Sequence, residues 1–256
     1  MHIKIVSIAW SFFFLAACNS PKKVSFVVSS SQTAIVRDGM PALVSKKSKS
    51  IVMDSPASRQ IQAGSDGRLV YTIAATNLTK APVDLKIADI SALQTVASGS
   101  TVVLPVIPYE QLVSEEKTRQ VMMALAGGLA AGANSYAAAR SGYGTANGTV
   151  YGPYGSQSFS VNYYNPTAAA ISQSNANMQN EAMISNLVET GQRNMAGLEA
   201  NVLKDNTLMP GEWIGGKVYF WPPTDQSGAP KNYTISVTIA GETHEIQISQ
   251  TREDAH

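Results

Sequence analysis

Cysteine and histidine are nearly missing from this chain. There is one cysteine, Cys18, and there are three histidines, His2, His244 and His256, among 256 residues. A zinc centre draws several ligands from cysteine, histidine and carboxylates, and two of those sources are almost exhausted. A lone cysteine has no partner within the chain for a disulfide. A Ser-His-Asp triad would have to use His244 or the tail, and no G-x-S-x-G accompanies either. A lone strand histidine such as His244 is expected at the surface. Charge is sparse as well, at 14%, and the 19 Lys+Arg nearly cancel the 18 Asp+Glu. The broad basic footprint of a nucleic-acid binder is therefore absent. Glu115–Glu116 and Asp84–Asp89 are ordinary carboxylate pairs, and Asp205 and Glu212 in "DNTLMPGE" lack calcium-loop spacing. The expectation is a protein with no catalytic residues, no metal and no cofactor, and not an enzyme.

What is present begins at the N-terminus. "MHIK" carries Lys4, "IVSIAWSFFFLAA" is apolar, and small Ala16 and Ala17 lead into Cys18. The apolar run falls short of the ~20 residues of a helical membrane span. Basic end, short apolar stretch and small-residue exit are the layout of a cleaved secretory signal over residues 1–17. "LAAC" resembles the lipobox of bacterial lipoproteins. The resemblance implies cleavage before Cys18, a diacylglycerol on its thiol and acylation of the new amine. Several acyl chains hold a protein firmly where one holds it marginally, at ~0.8 kcal/mol per buried methylene. In the lipoproteins of enteric-type bacteria the next residue sorts the protein. Asn19 is not the aspartate that retains it on the inner membrane, so the resemblance implies a lipid-anchored place at the outer membrane, facing the periplasm. The membrane lipid is then one partner, held through acylated Cys18.

Residues 18–32 read as a tether and first strand, Val24–Val28, and Thr33–Val36 as a second strand. "KKSKS" (Lys46–Ser50) is expected to be an exposed turn. Leu69–Ala75 and Val83–Ile90 read as strands around the turn-rich "TNLTKAP", where Asn77 is a turn residue. "TVVLPVIPYE" adds a short strand stopped by Pro105 and Pro108. After Pro210–Gly211, Lys217–Trp221 is a strand, and "NYTISVTIAGETHEIQISQ" alternates as a hairpin around Ala240–Thr243. This C-terminal part, with its Pro-Gly turn, Val218-x-Phe220 strand and closing hairpin, is similar to β domains of exported lipoproteins of unassigned activity. It carries no activity over, and the Cys…Trp…Cys spacing of true immunoglobulin domains is absent.

Between the β halves the period changes. Tyr109 to about Arg140 reads as helix, with Glu115 and Glu116 early and Arg140 late, as the helix dipole favours. Its part Gln120–Ala139 has no charged residue. Gly128 and Gly132 form GxxxG, which permits close helix approach. Thr167 onward reads as a second, amphipathic helix. The segment between them, 141–166, is rich in Gly, Tyr, Ser and Asn. No GK[ST] follows, so it is not a phosphate loop. It is expected to be an irregular or hairpin-like connection.

The fold class expected is α+β. N-terminal (33–108) and C-terminal (205–250) β segments, roughly seven strands in all, would combine into an immunoglobulin-like sandwich. A helical hairpin (109–204) would be inserted between them, and residues 251–256 would form a tail. The function expected is a structural or protein-interaction role in the bacterial envelope, with a protein partner or a second copy held by the helical hairpin, and no nucleic acid. Trp213, Tyr219, Phe220 and Trp221 are candidate interface anchors. One alternative is that Gln120–Ala139 inserts in a bilayer as part of an oligomeric assembly. In the other case Met122, Leu125 and Leu129 should pack on Ile184 and Leu187. A weaker alternative is an adhesin-like module using the Tyr/Gly segment.

Overall fold

The computed structural model describes residues 22–37, 39–57, 67–96, 99–223 and 231–252. The signal segment, Cys18 and Asn19 lie outside these. The chain forms two compact units. One contains the described residues up to Val106, Thr207–Ile214 and those from Tyr219 onward; the other contains Ile107–Asn206 and Gly215–Val218.

The elements, in chain order, begin with β1 (Lys22–Val27), β2 (Gln32–Arg37), β3 (Met40–Lys46), β4 (Ser50–Pro56), β5 (Leu69–Asn77) and β6 (Val83–Leu85). A 3-10 turn (Ile87–Asp89), β7 (Ile90–Thr95), β8 (Thr101–Leu104) and β9 (Val106–Ile107) follow. Then come α1 (Tyr109–Arg140), β10 (Tyr143–Gly152), β11 (Gly155–Tyr164) and α2 (Pro166–Asn201). The last strands are β12 (Asn206–Leu208), β13 (Trp213–Phe220), β14 (Lys231–Ile239) and β15 (Glu242–Arg252). The class is α+β. A five-stranded sheet has the order β1-β15-β14-β7-β8, a six-stranded sheet β2-β3-β4-β5-β13-β9, and β6 pairs with β12.

Alternation builds the first unit. On β5, Leu69, Tyr71, Ile73 and Ala75 are buried and the residues between them half-buried; on β14, Tyr233, Ile235, Val237 and Ile239 are buried. Each such large side chain contributes ~1.5–3 kcal/mol on burial. Ala240 and Gly241 close the β14–β15 hairpin with φ of 56° and 75°, as a two-residue primed turn demands. The two sheets share this core, and Gln32 Nε2 donates to the Glu245 carbonyl at 2.6 Å.

Several expectations need correction. The two large sheets hold more strands than the seven foreseen, because Met40–Lys46 and Ser50–Pro56 are strands whose Pro41 and Asp54 obscure the alternation. Val83–Ile90 is not one strand. Val83–Leu85 is tied to β12, where Thr207 Oγ1 donates to Asp84 Oδ1 at 2.7 Å, and the chain turns before Ile90 joins β14 through the β7 ladder. Asn77 does serve its turn, but from a buried position. Its Nδ2 donates to the carbonyls of Ala81 (2.8 Å) and Leu208 (2.9 Å), and its Oδ1 accepts from Thr79 N and Oγ1.

In the second unit, α1 and α2 run to 32 and 36 residues, so each is ~50 Å long at ~1.5 Å per residue. They pack as a hairpin. Asn165 caps α2, accepting from Ala168 N at 3.1 Å, and Pro166 occupies the first turn, where its missing N–H costs nothing. The Gly/Tyr segment is a regular ten-on-ten antiparallel hairpin, with Pro153 and Tyr154 at its tip.

Candidate functional site

The first unit holds two buried polar clusters. In the first, β15 turns His244 inward, fully buried, rather than to the surface as expected. Its Nε2 lies 2.8 Å from Ser50 Oγ and its Nδ1 2.9 Å from Ser45 Oγ. Ser50 Oγ also donates to Glu242 Oε2 at 2.8 Å, and Ser48 Oγ donates to Glu242 Oε1 at 2.6 Å. A hydroxyl has one proton. Since Ser50 gives its proton to Glu242, it accepts from His244, whose Nε2 therefore carries a proton. This order is wrong for a catalytic triad. There the histidine stands between acid and serine and takes the serine's proton; here the serine stands between acid and histidine. Ser45 and Ser50 are buried, and both imidazole nitrogens are occupied. The cluster ties the "KKSKS" turn to the start of β15.

Its titration has a readable consequence. The Ser48 hydroxyl, with Ser50 and the backbone of Lys49, holds the Glu242 carboxyl down at about 2. Burial, helped by the Lys47 charge, lowers the His244 pKa from its ordinary value. An unfolded chain takes up this proton below pH ~6.5, while the folded chain resists it. Stability is therefore fully present above that pH and declines as pH falls through the window below it. We expect the thermal midpoint to fall from pH 7 to pH 5. His244→Gln should flatten that slope, and an unchanged slope in the variant would remove His244 as its source.

The second cluster is Asp54, Tyr71, Tyr233, Gln94 and Gln250, all buried. Tyr233 Oη donates to Gln250 Oε1 at 3.3 Å. Both Asp54 carboxylate oxygens, Tyr71 Oη and the Gln94 amide have no hydrogen-bond partner. No group of three or more His, Cys, Asp or Glu able to hold a metal occurs among the described residues.

The second unit offers a surface rather than a pocket. Its internal seam is made of small and polar residues. A Cβ on Gly127 would meet Leu187 Cδ1 at 2.8 Å, and one on Gly191 would meet Gln120 Cδ at 2.9 Å. Gln120 Nε2 donates to the Gly191 carbonyl at 3.1 Å, and Asn180 Nδ2 to the Ala131 carbonyl at 3.2 Å. Asn134 Nδ2 reaches Asn180 Oδ1 at 3.0 Å. Glu116 is held down at about 2, first by the Arg119 hydrogen bond at 2.7 Å. Ala138, Ala169 and Ala176 are buried.

The large apolar side chains point elsewhere. Met122, Leu125, Leu129, Ile171, Met178 and Ile184 are exposed, Leu129 at 78%. The expected packing of Met122, Leu125 and Leu129 on Ile184 and Leu187 is therefore corrected: Leu187 meets Gly127 instead. Gly128 and Gly132 also lie off the seam, with nothing within 4 Å of a Cβ at either. Close approach needs a glycine facing the partner helix, and Gly127 and Gly191 have that position. The GxxxG spacing drew attention to Gly128, one residue away from the contact.

Of the aromatic anchors, Trp213 is exposed, Tyr219 half-buried, and Trp221 partly exposed with the Arg68 guanidinium 6.0 Å from its ring. Phe220 is completely buried; the β13 alternation turns it into the core, so it cannot be an interface anchor. Among the described residues no helix is long and apolar enough to cross a membrane, which leaves the helix-insertion alternative without support. Residue-type scanning missed the Gly127–Gly191 seam and the regularity of the β10–β11 hairpin. A period of two in 143–152 and 155–164 was the available signal. No family model, no curated protein and no solved structure matches this chain.

Proposed function

We propose that this protein is a non-enzymatic bacterial lipoprotein, anchored to the outer membrane through acylated Cys18, that assembles with copies of itself through its helical hairpin. The first unit is read as an immunoglobulin-like sandwich that serves as the rigid body. The observation that carries the assembly is the inversion of side-chain size on α1 and α2. Small residues let the two helices approach, with Leu187 set over Gly127, while Met122, Leu125, Leu129, Ile171, Met178 and Ile184 face outward. In water those outward side chains are covered most favourably by another apolar helix face. A face repeated identically on every copy suits a symmetric oligomer. Gly128 and Gly132, free of contacts within the chain, would let a neighbouring helix approach closely.

The test is a pair of variants of the full-length protein. Leu129→Glu changes an exposed residue, so a monomer should keep its fold. The assembly, measured by light scattering after detergent extraction, should weaken at least tenfold. An unchanged or absent oligomer would sink this reading. Cys18→Ser should fail to take up radiolabelled palmitate, which wild type incorporates; label in the variant would remove Cys18 as the lipidated residue.

A further inference from the structure

We infer that β10 and β11 form a membrane-spanning hairpin, and that copies of this chain pair such hairpins edge to edge into a closed β-barrel with a water-filled lumen. The inference rests on the self-association proposed above and adds where the assembly ends: inside a bilayer.

Four observations carry it. The first is sidedness. Cross-strand partners share a face, and the register pairs Gly144 with Tyr163, Ala146 with Val161, Gly148 with Phe159 and Val150 with Gln157. That face is apolar apart from Gln157, next to the tip. The Tyr163 and Phe159 rings lie over Gly144 and Gly148, within 2.6 Å of where a Cβ would stand. The opposite face pairs Thr145 with Asn162, Asn147 with Ser160 and Thr149 with Ser158. It carries no charge and its middle is polar, with Tyr143 and Tyr164 paired at one end and Tyr151 opposite Ser156 at the other; Thr145 Oγ1 donates to Asn162 Oδ1 at 2.9 Å. One apolar and one small polar face is the pattern of a strand between lipid and water.

The second is length. Ten residues per strand at ~3.3 Å each, tilted ~40° as barrel strands are, cover about 25 Å, the height of a barrel's apolar band. The third is the placement of tyrosine. On the apolar face Tyr163 lies next to the base, and Tyr154 lies in the turn at the tip. Aromatic residues at both ends are the girdles that sit at the two membrane interfaces. Arg140 is the sole charged residue between Gln120 and Asn180, so no charge on the hairpin opposes entry into lipid.

The fourth is that the hairpin is incomplete alone. Among the described residues β10 and β11 form a two-stranded sheet without a third strand, and every β11 residue is exposed. Two strands by themselves are marginal in water, and in lipid each unpaired edge group costs several kcal/mol, so a spanning sheet must close. The edges of neighbouring copies are identical in sequence and length, which lets them pair in order around a ring. The smallest known barrels have ~8 strands, so about four copies are the minimum.

The experiment reconstitutes the full-length chain in phosphatidylethanolamine–phosphatidylglycerol vesicles and records both its mass and its conductance. Ser158→Cys, Phe159→Cys, Ser160→Cys and Val161→Cys each carry an environment-sensitive dye. We expect stepwise conductance. Dye emission should alternate with period two: 159 and 161 quenched by a nitroxide lipid, 158 and 160 by aqueous iodide. Val161→Arg puts a charge against the bilayer centre and should reduce channel number by about thirtyfold or more, while Ser160→Arg on the opposite face keeps the channels and shifts them toward anions. An oligomer with no alternation, or with no conductance, overturns the barrel and leaves the assembly reading standing. A monomer in the vesicles overturns both.

Discussion

Phe220→Ala should destabilise the first unit by about 3–5 kcal/mol, the range for removing a large aromatic from a packed core. Phe220 is 0% exposed and ends β13, the strand next to β5, whose Tyr71 and Ile73 are also fully buried. The loss combines the transfer of its ring from the core with the cavity left behind. Trp213→Ala is the contrasting case. Trp213 is on the same strand but 69% exposed, and its replacement should move stability by no more than ~0.5 kcal/mol. Denaturant titration followed by circular dichroism measures both. Similar losses in the two variants would show that the alternation along β13 has been read on the wrong face.

Asp54→Val is expected to do the opposite and stabilise the protein at neutral pH. Asp54 is completely buried, and neither carboxylate oxygen accepts a well-formed hydrogen bond. Burial pushes its pKa well above the ordinary carboxylate value, opposed in part by the Ser55 backbone. Its charge also raises the already buried Tyr71 hydroxyl. The unfolded chain ionises this group above pH ~3.9, while the folded chain holds the proton to higher pH. Folding therefore loses free energy as pH rises from ~3.9 toward the folded value, the reverse of the His244 slope. Valine has similar volume and favours strands, and it removes both the titration and the unpaired oxygens. The gain should be about 1–3 kcal/mol at pH 7, the cost of leaving a buried polar group unsatisfied. Asp54→Asn removes the charge but keeps an amide without partners, so its gain should be smaller. A loss of stability in Asp54→Val would mean that the carboxyl is held by interactions stronger than its geometry indicates.

These two residues mark the boundary of what sequence patterns carry. The helix over Tyr109–Arg140, with acidic residues early and Arg140 late, and the alternation of the β14–β15 hairpin were legible because each signal is local to its own element. β3 and β4 were not, since Pro41 and the inward Ser50 and Asp54 break the apolar pattern there. The β10–β11 hairpin was hidden differently. Its glycines and serines suggest irregular chain, and its alternation becomes meaningful only when the register sets Tyr163 over Gly144 and Phe159 over Gly148.

The sequence by itself determined the α+β class, the two long helices and the clearest strands in their order, the poverty of catalytic side chains and the long stretch almost free of charge. These follow from composition and from periods of two and 3.6, which need no knowledge of what lies opposite. The tertiary structure alone decided which face of each element meets another. It put Phe220 in the core and Trp213 outside, chose Gly127 over Gly128 for the helix seam, and sorted the tip hairpin into an apolar and a polar side. The physical reason is that a side chain's role depends on the group across from it. Neighbours brought together by folding are 194 residues apart for His244 and Ser50, and a single residue of rotation separates a glycine in a seam from one facing open space.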